Sequence, residues 1–143
     1  MFVRDVVSWT IMIAGLGQSN HPKESLELFS KILTLGISPD GIIVTTVLSA
    51  CASLGTLGFG TRVHEYIDQR GIKWDIHIGT AIVDMYAKCG CIEMALQIFN
   101  NMPQRNTFTW NALLCGLALH GIVQEALKFF DVMIISDVKP KEY

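Results

Sequence analysis

Internal repetition constrains this chain more than any other property, because a unit too short to bury its own apolar face must lean on the next one. Written as units beginning at Val6, Gly41, Ile76 and Thr107, the sequence shows periods of 35, 35 and 31 residues, then a unit of 35 that runs to Lys141. Met1-Phe2-Val3-Arg4-Asp5 aligns with Met102-Pro103-Gln104-Arg105-Asn106 and reads as the tail of a preceding short unit. The eighth column holds Ile13, Leu48, Val83 and Leu114, an apolar anchor in each unit's first half. The fifteenth holds Asn20, Gly55, Gly90 and Gly121, residue types that tolerate a left-handed backbone, so a helix is expected to end there and the chain to turn back. Column twenty is small in Ser25, Gly60, Ala95 and Ala126, which lets a second helix approach the first. Phe29, His64, Phe99 and Phe130, with Ile32, Ile67, Met102 and Met133 three positions on, give that second helix one apolar face. Turn chemistry in GISPD, GIKWD and DVKPK closes the three longer units. Each unit therefore reads as helix, turn, helix, turn, and the expected fold is an all-α right-handed superhelix of about four hairpins.

The charge balance limits what such a surface can hold. Eleven Lys and Arg against thirteen Asp and Glu give a formal charge of -2, so the chain does not grip a polyanion by charge alone. Half of the residues are hydrophobic, and Gly41 to Thr61 and Asn106 to Gln124 carry no charge. Both runs hold polar side chains and turn glycines, and read as buried helices rather than bilayer crossings. No membrane partner and no targeting segment are expected from this stretch of chain.

Four cysteines in 143 residues are too few for a disulfide scaffold. Cys89-Gly90-Cys91 lacks the two-residue gap usual in zinc sites, so Cys51, Cys89, Cys91 and Cys115, with His64, His77 and His120, are not read as metal ligands. Cys51, Cys89 and Cys115 fall on or beside apolar columns and are expected in the core. No phosphate loop, nucleophile motif or cofactor signature appears, so no catalysis and no cofactor are expected.

The alternation of 35, 35 and 31 residues, carrying VVSWTIMIAG, VLSACASLG, AIVDMYAKCG and MALQIFNNMP, resembles the plant pentatricopeptide repeat proteins of the class with mixed repeat lengths. On that resemblance residues 6–40 form a standard unit, 41–75 a long-type unit, 76–106 a short-type unit and 107–141 a standard unit. The resemblance implies sequence-specific binding of single-stranded RNA, one base per repeat, in editing or processing of organellar transcripts in the mitochondrion or chloroplast. Editing factors or deaminases are implied partners, although the His-x-Glu and Cys-x-x-Cys of a zinc deaminase do not occur here.

The resemblance also assigns roles to residues. The fifth residue and the last residue of a unit read the base together: Thr10 with Asp40, Thr45 with Asp75, Thr80 with Asn106, and Asn111 with Lys141. Thr10 with Asp40 implies guanine and Thr80 with Asn106 adenine. The long-type unit with Thr45 and Asp75 is left open, as is the last unit, where Lys141 departs from the usual residue and Asn111 leans toward a pyrimidine. Val7, Ile42, His77 and Phe108 occupy the second column, whose side chains sandwich the bases. Read from the residues alone, the Val and Ile are equally ordinary packing, and the Thr and Asp equally caps and turn formers. A helical scaffold that binds a peptide or partner helix is the rival use of the same surface. Uncapped ends would leave apolar faces through which copies can self-associate.

Overall fold

A computed structural model describes residues 6–18 and 20–136. Among them are eight α-helices and no strand: α1 Val6–Gln18, α2 Pro22–Thr34, α3 Gly41–Leu54, α4 Leu57–Gln69, α5 Ile76–Lys88, α6 Ile92–Asn101, α7 Thr107–Leu119 and α8 Val123–Ser136. Consecutive pairs form four helical hairpins.

Each hairpin turns on the same device. Asn20, Gly55, Gly90 and Gly121 all take left-handed backbone, with φ of 66°, 68°, 88° and 74°. The amide one residue on then donates back to a carbonyl five residues earlier: His21 to Leu16, Thr56 to Cys51, Cys91 to Tyr86 and Ile122 to Leu117, at 2.8 to 3.1 Å. That bond satisfies a carbonyl the helix end leaves unpaired, and the left-handed residue makes the reversal possible.

Hairpins stack through their first helices. Contacts run from α1 to α3, α3 to α5 and α5 to α7; every second helix packs on its own first helix, and α2, α4 and α6 also pack on the next one. No Cα of one second helix comes within 8 Å of another among the described residues. Aromatic rings bridge the first and last steps of that outer row instead: Phe29 of α2 reaches Phe59 and Tyr66 of α4 at centroid distances of 6.4 and 6.2 Å, and Phe99 of α6 reaches Phe129 of α8 at 6.4 Å. The result is a closely packed inner layer and a more open outer one.

Small residues set the inner spacing. A Cβ on Gly116 of α7 would collide with the Cβ of Ala87 on α5 and lie 2.9 Å from that residue's carbonyl carbon. Ser25 in column twenty is fully buried and donates its hydroxyl to the Ile13 carbonyl at 3.2 Å. Gly60 in the same column leaves room for the Met85 side chain. Ile13, Leu48, Val83, Ile32, Ile67 and Phe99 are buried in one continuous core.

Three expectations about packing need correction. Leu114, aligned with the buried Ile13, Leu48 and Val83, is only half-buried, and its neighbour Leu113 takes the core position. Phe130 is 44% exposed, and its neighbour Phe129 makes the contact with Phe99, because the α8 face bearing Phe130 turns away from α6 and α7. Cys115 is exposed rather than in the core, since α7 presents it on the face opposite Leu113 and Leu117. Cys51 is buried as expected, and burial pushes its thiol up to about 11, which keeps it unreactive.

Candidate nucleic-acid interface

Three of the proposed base-reading residues are first of all helix caps. Asp40, Asp75 and Asn106 stand immediately before α3, α5 and α7 in extended backbone, and each side-chain oxygen accepts the amide three residues on: Ile43 at 3.0 Å, Ile78 at 2.9 Å and Thr109 at 3.0 Å. Such a bond satisfies one of the orphan amides of the first turn. The rest of the side chain is exposed at Asp40 and Asp75 and half-buried at Asn106. Cap and candidate reader are thus one residue.

Between the second and third hairpins these groups converge on a cleft of about 530 Å³ lined by Asp40, Gly41, Ile42, Thr45, Asp75, His77 and Ile78. Thr45 donates its hydroxyl hydrogen to the Ile42 carbonyl at 3.0 Å, so only oxygen lone pairs remain to face the cleft. Asp75 has one oxygen on the Ile78 amide and is otherwise exposed. Both polar walls are therefore acceptors. Ile42, 60% exposed at the start of a largely buried helix, and exposed His77 stand at its edges.

The joint between the third and fourth hairpins is wired differently. The Thr80 hydroxyl lies 2.7 Å from that of Thr109, which in turn donates to the Asn106 side-chain oxygen at 3.0 Å. His77 and Phe108 flank this joint, and Phe108 is 74% exposed, a large apolar ring left in solvent. Thr109 was not among the residues singled out in the sequence; the Asn-x-x-Thr spacing of a reciprocal helix cap was the available signal.

Elsewhere the candidates are less assembled. Asn111 is exposed on α7. The side chains of Val7 and Thr10, and Lys141 as a whole, lie outside the described residues, so the first and last pairs are not framed here. Two of the three histidines weighed as metal ligands are engaged elsewhere, His64 with the Tyr86 hydroxyl at 2.7 Å and His120 with the Lys88 carbonyl at 2.9 Å, and the third, His77, is exposed. Among the described residues no cluster of three or more His, Cys, Asp or Glu could hold a metal ion, and no helix is long and apolar enough to cross a membrane.

Comparison with known sequences decides the family. A model described as pentatricopeptide repeat-containing protein matches residues 40–112, and PPR repeat models match residues 4–53 and 108–138. The chain belongs to the pentatricopeptide repeat family. An Arabidopsis thaliana pentatricopeptide repeat-containing protein is 59% identical over 138 residues, which cover 96% of this chain and 25% of that protein. A relative from the same plant named as chloroplastic is 36% identical over 97% of the chain and 17% of its own length, and one named as mitochondrial is 35% identical over 94% and 15%. The chain thus spans a quarter or less of these relatives.

Among solved structures, the pentatricopeptide repeat protein PPR10 in complex with an 18-nt psaJ RNA element superposes with a TM-score of 0.82 at 20% identity, over 97% of this chain and 21% of that one. Nuclear proteinaceous RNase P 2 from A. thaliana matches with a TM-score of 0.64 at 13% identity, over 92% and 31%. The pentatricopeptide repeat solenoid is therefore the fold of this chain.

Proposed function

We propose that this stretch of pentatricopeptide repeats is a non-catalytic module that binds single-stranded RNA and reads one base at each joint between first helices. The cleft formed by Thr45, Asp75, Ile42 and His77 is the observation that carries this reading: a polar floor of defined polarity between two side chains able to cover a base. PPR10, whose fold this chain shares, was solved on RNA. Two acceptors side by side at Thr45 and Asp75 complement guanine, whose pairing edge offers its imino and amino hydrogens together. We thus assign guanine to the second unit, which the resemblance left open.

At the next joint the Asn106 side-chain oxygen is taken by Thr109, so its amide hydrogens face outward as donors. A donor beside the Thr80 oxygen complements adenine, which pairs one acceptor nitrogen with an amino donor. Cytosine presents the same order on a smaller ring and should rank second. Thr10 with Asp40 is assigned guanine by family analogy, and Asn111 with Lys141 remains a weak pyrimidine site. The mixed long and short units suit an organellar editing or processing factor acting with partner proteins.

Fluorescence anisotropy at fixed salt tests the module, using short RNAs carrying guanine-guanine-adenine in either polarity against scrambles of the same composition. Tighter binding of one ordered RNA is expected. Equal or absent binding of all RNAs would instead support the peptide-scaffold use of the surface. Phe108→Ala should weaken binding of the preferred RNA by roughly 1 to 3 kcal/mol, the worth of one stacked base. Because Phe108 is mostly in solvent, the melting temperature should stay where it is. Unchanged affinity in that variant would count against stacking at this joint.

A further inference from the structure

We infer that Thr109, a residue that touches no base in the proposed reading, sets the donor and acceptor polarity of the third reading site and so positions its choice of adenine. The inference rests on the RNA-reading role proposed above. Thr109 is fully buried, and its hydroxyl makes three hydrogen bonds. It donates to the Asn106 side-chain oxygen at 3.0 Å, a contact that only Thr109 can supply with hydrogen because that oxygen is purely an acceptor. It accepts the Asn106 backbone amide at 3.2 Å. One lone pair remains, and the Thr80 hydroxyl lies 2.7 Å away.

A hydroxyl has one hydrogen and two lone pairs, so this accounting closes in only one way. Thr109 has spent its hydrogen on Asn106, and Thr80 must therefore donate to Thr109. Two consequences reach the groove. Thr80 keeps only lone pairs to offer a base. Asn106 has its oxygen bonded twice, by the Thr109 amide and hydroxyl, which turns the amide nitrogen outward and holds it there. Acceptor at Thr80 and donor at Asn106 form the complement of adenine, and both settings pass through one buried oxygen.

The other joints show what the position does when it is apolar. Ile43 and Ile78 occupy the same place at the start of α3 and α5, 0% and 3% exposed. Thr45, facing Ile78, finds no hydroxyl across the joint and bonds its own helix at Ile42. A branched apolar side chain is thus accommodated at this position, and Thr109→Val should fold.

The test compares Thr109→Val and Thr109→Ser with the parent chain. Anisotropy is measured on four RNAs that differ only in the base at the third joint, and on a pair that differ only at the second. In Thr109→Val the adenine-to-guanine preference at the third joint should fall roughly 3- to 10-fold, the worth of one hydrogen bond. The guanine preference at the second joint should hold, and Thr109→Ser should restore the parent pattern. A uniform weakening across all four bases would assign Thr109 a purely structural role and overturn the inference, as would an unchanged ratio. If the parent chain itself fails to discriminate among the four RNAs, the reading role falls first and this inference with it.

Discussion

Exchanging Asn106 for Asp is expected to invert the third joint from adenine to guanine. Asp caps a helix as well as Asn does, so the bond from the Thr109 amide survives and stability should move by less than about 0.5 kcal/mol. The outward half of the side chain changes from a donor of two hydrogens to a bare acceptor. Against adenine that places acceptor opposite acceptor at its ring nitrogen. Against guanine it supplies the second acceptor that the imino and amino hydrogens require. Leaving a polar pair unmade costs about 1 to 3 kcal/mol, so loss at one base and gain at the other should swing the ratio of affinities on the order of 100-fold. Competition binding with RNAs that differ at that single base measures the swing directly. A variant that keeps adenine first would refute the assignment of Asn106 as a reader, since the fold is left intact.

The second large effect concerns the scaffold. Gly116→Val should cost on the order of 3 kcal/mol, because the new side chain meets the backbone of Ala87 rather than the end of a flexible group. Ala87 cannot yield locally: it is fully buried, and the clash is with its backbone as well as its Cβ. The gain in helix propensity on leaving glycine is under 1 kcal/mol and does not offset the clash. For a chain of this size the melting temperature should drop by roughly 10 °C, and hydrogen exchange should show α7 and α8 opening before the other hairpins. Gly58, whose added Cβ would meet nothing within 4 Å, is the control, and Gly58→Ala should leave the melt unchanged or raise it. An unaltered melt for Gly116→Val would mean that α5 and α7 stand further apart than described.

The hairpins were legible because their determinants are local. A left-handed residue at Asn20, Gly55, Gly90 and Gly121 and a cap at Asp40, Asp75 and Asn106 each act within one turn of chain, so their spacing is written in the sequence. Asp40 and Asp75 presented two readings, cap or reader: each is a cap with one oxygen on the helix, and the other oxygen is left for the reader role proposed above. What could not be read depends on how helices register against one another. The bond between Thr80 and Thr109 joins residues 29 apart through the packing of α5 on α7, and no local pattern encodes it. The exchange of Phe130 for Phe129 and the exposure of Cys115 have the same origin, since adjacent positions on a helix differ by about a quarter turn and only the neighbour decides which is covered.

The two layers described for the hairpins give the array an uneven mechanical character. On the inside of the joint between α5 and α7, glycine against alanine leaves no slack, so the interval between those two helices is held. On the outside, rings some 6 Å apart join α6 to α8, and α2 to α4, without close backbone contact. A joint built this way would give at its outer edge before its inner one, and under the proposed function an RNA laid along it would have to match the inner interval rather than impose its own.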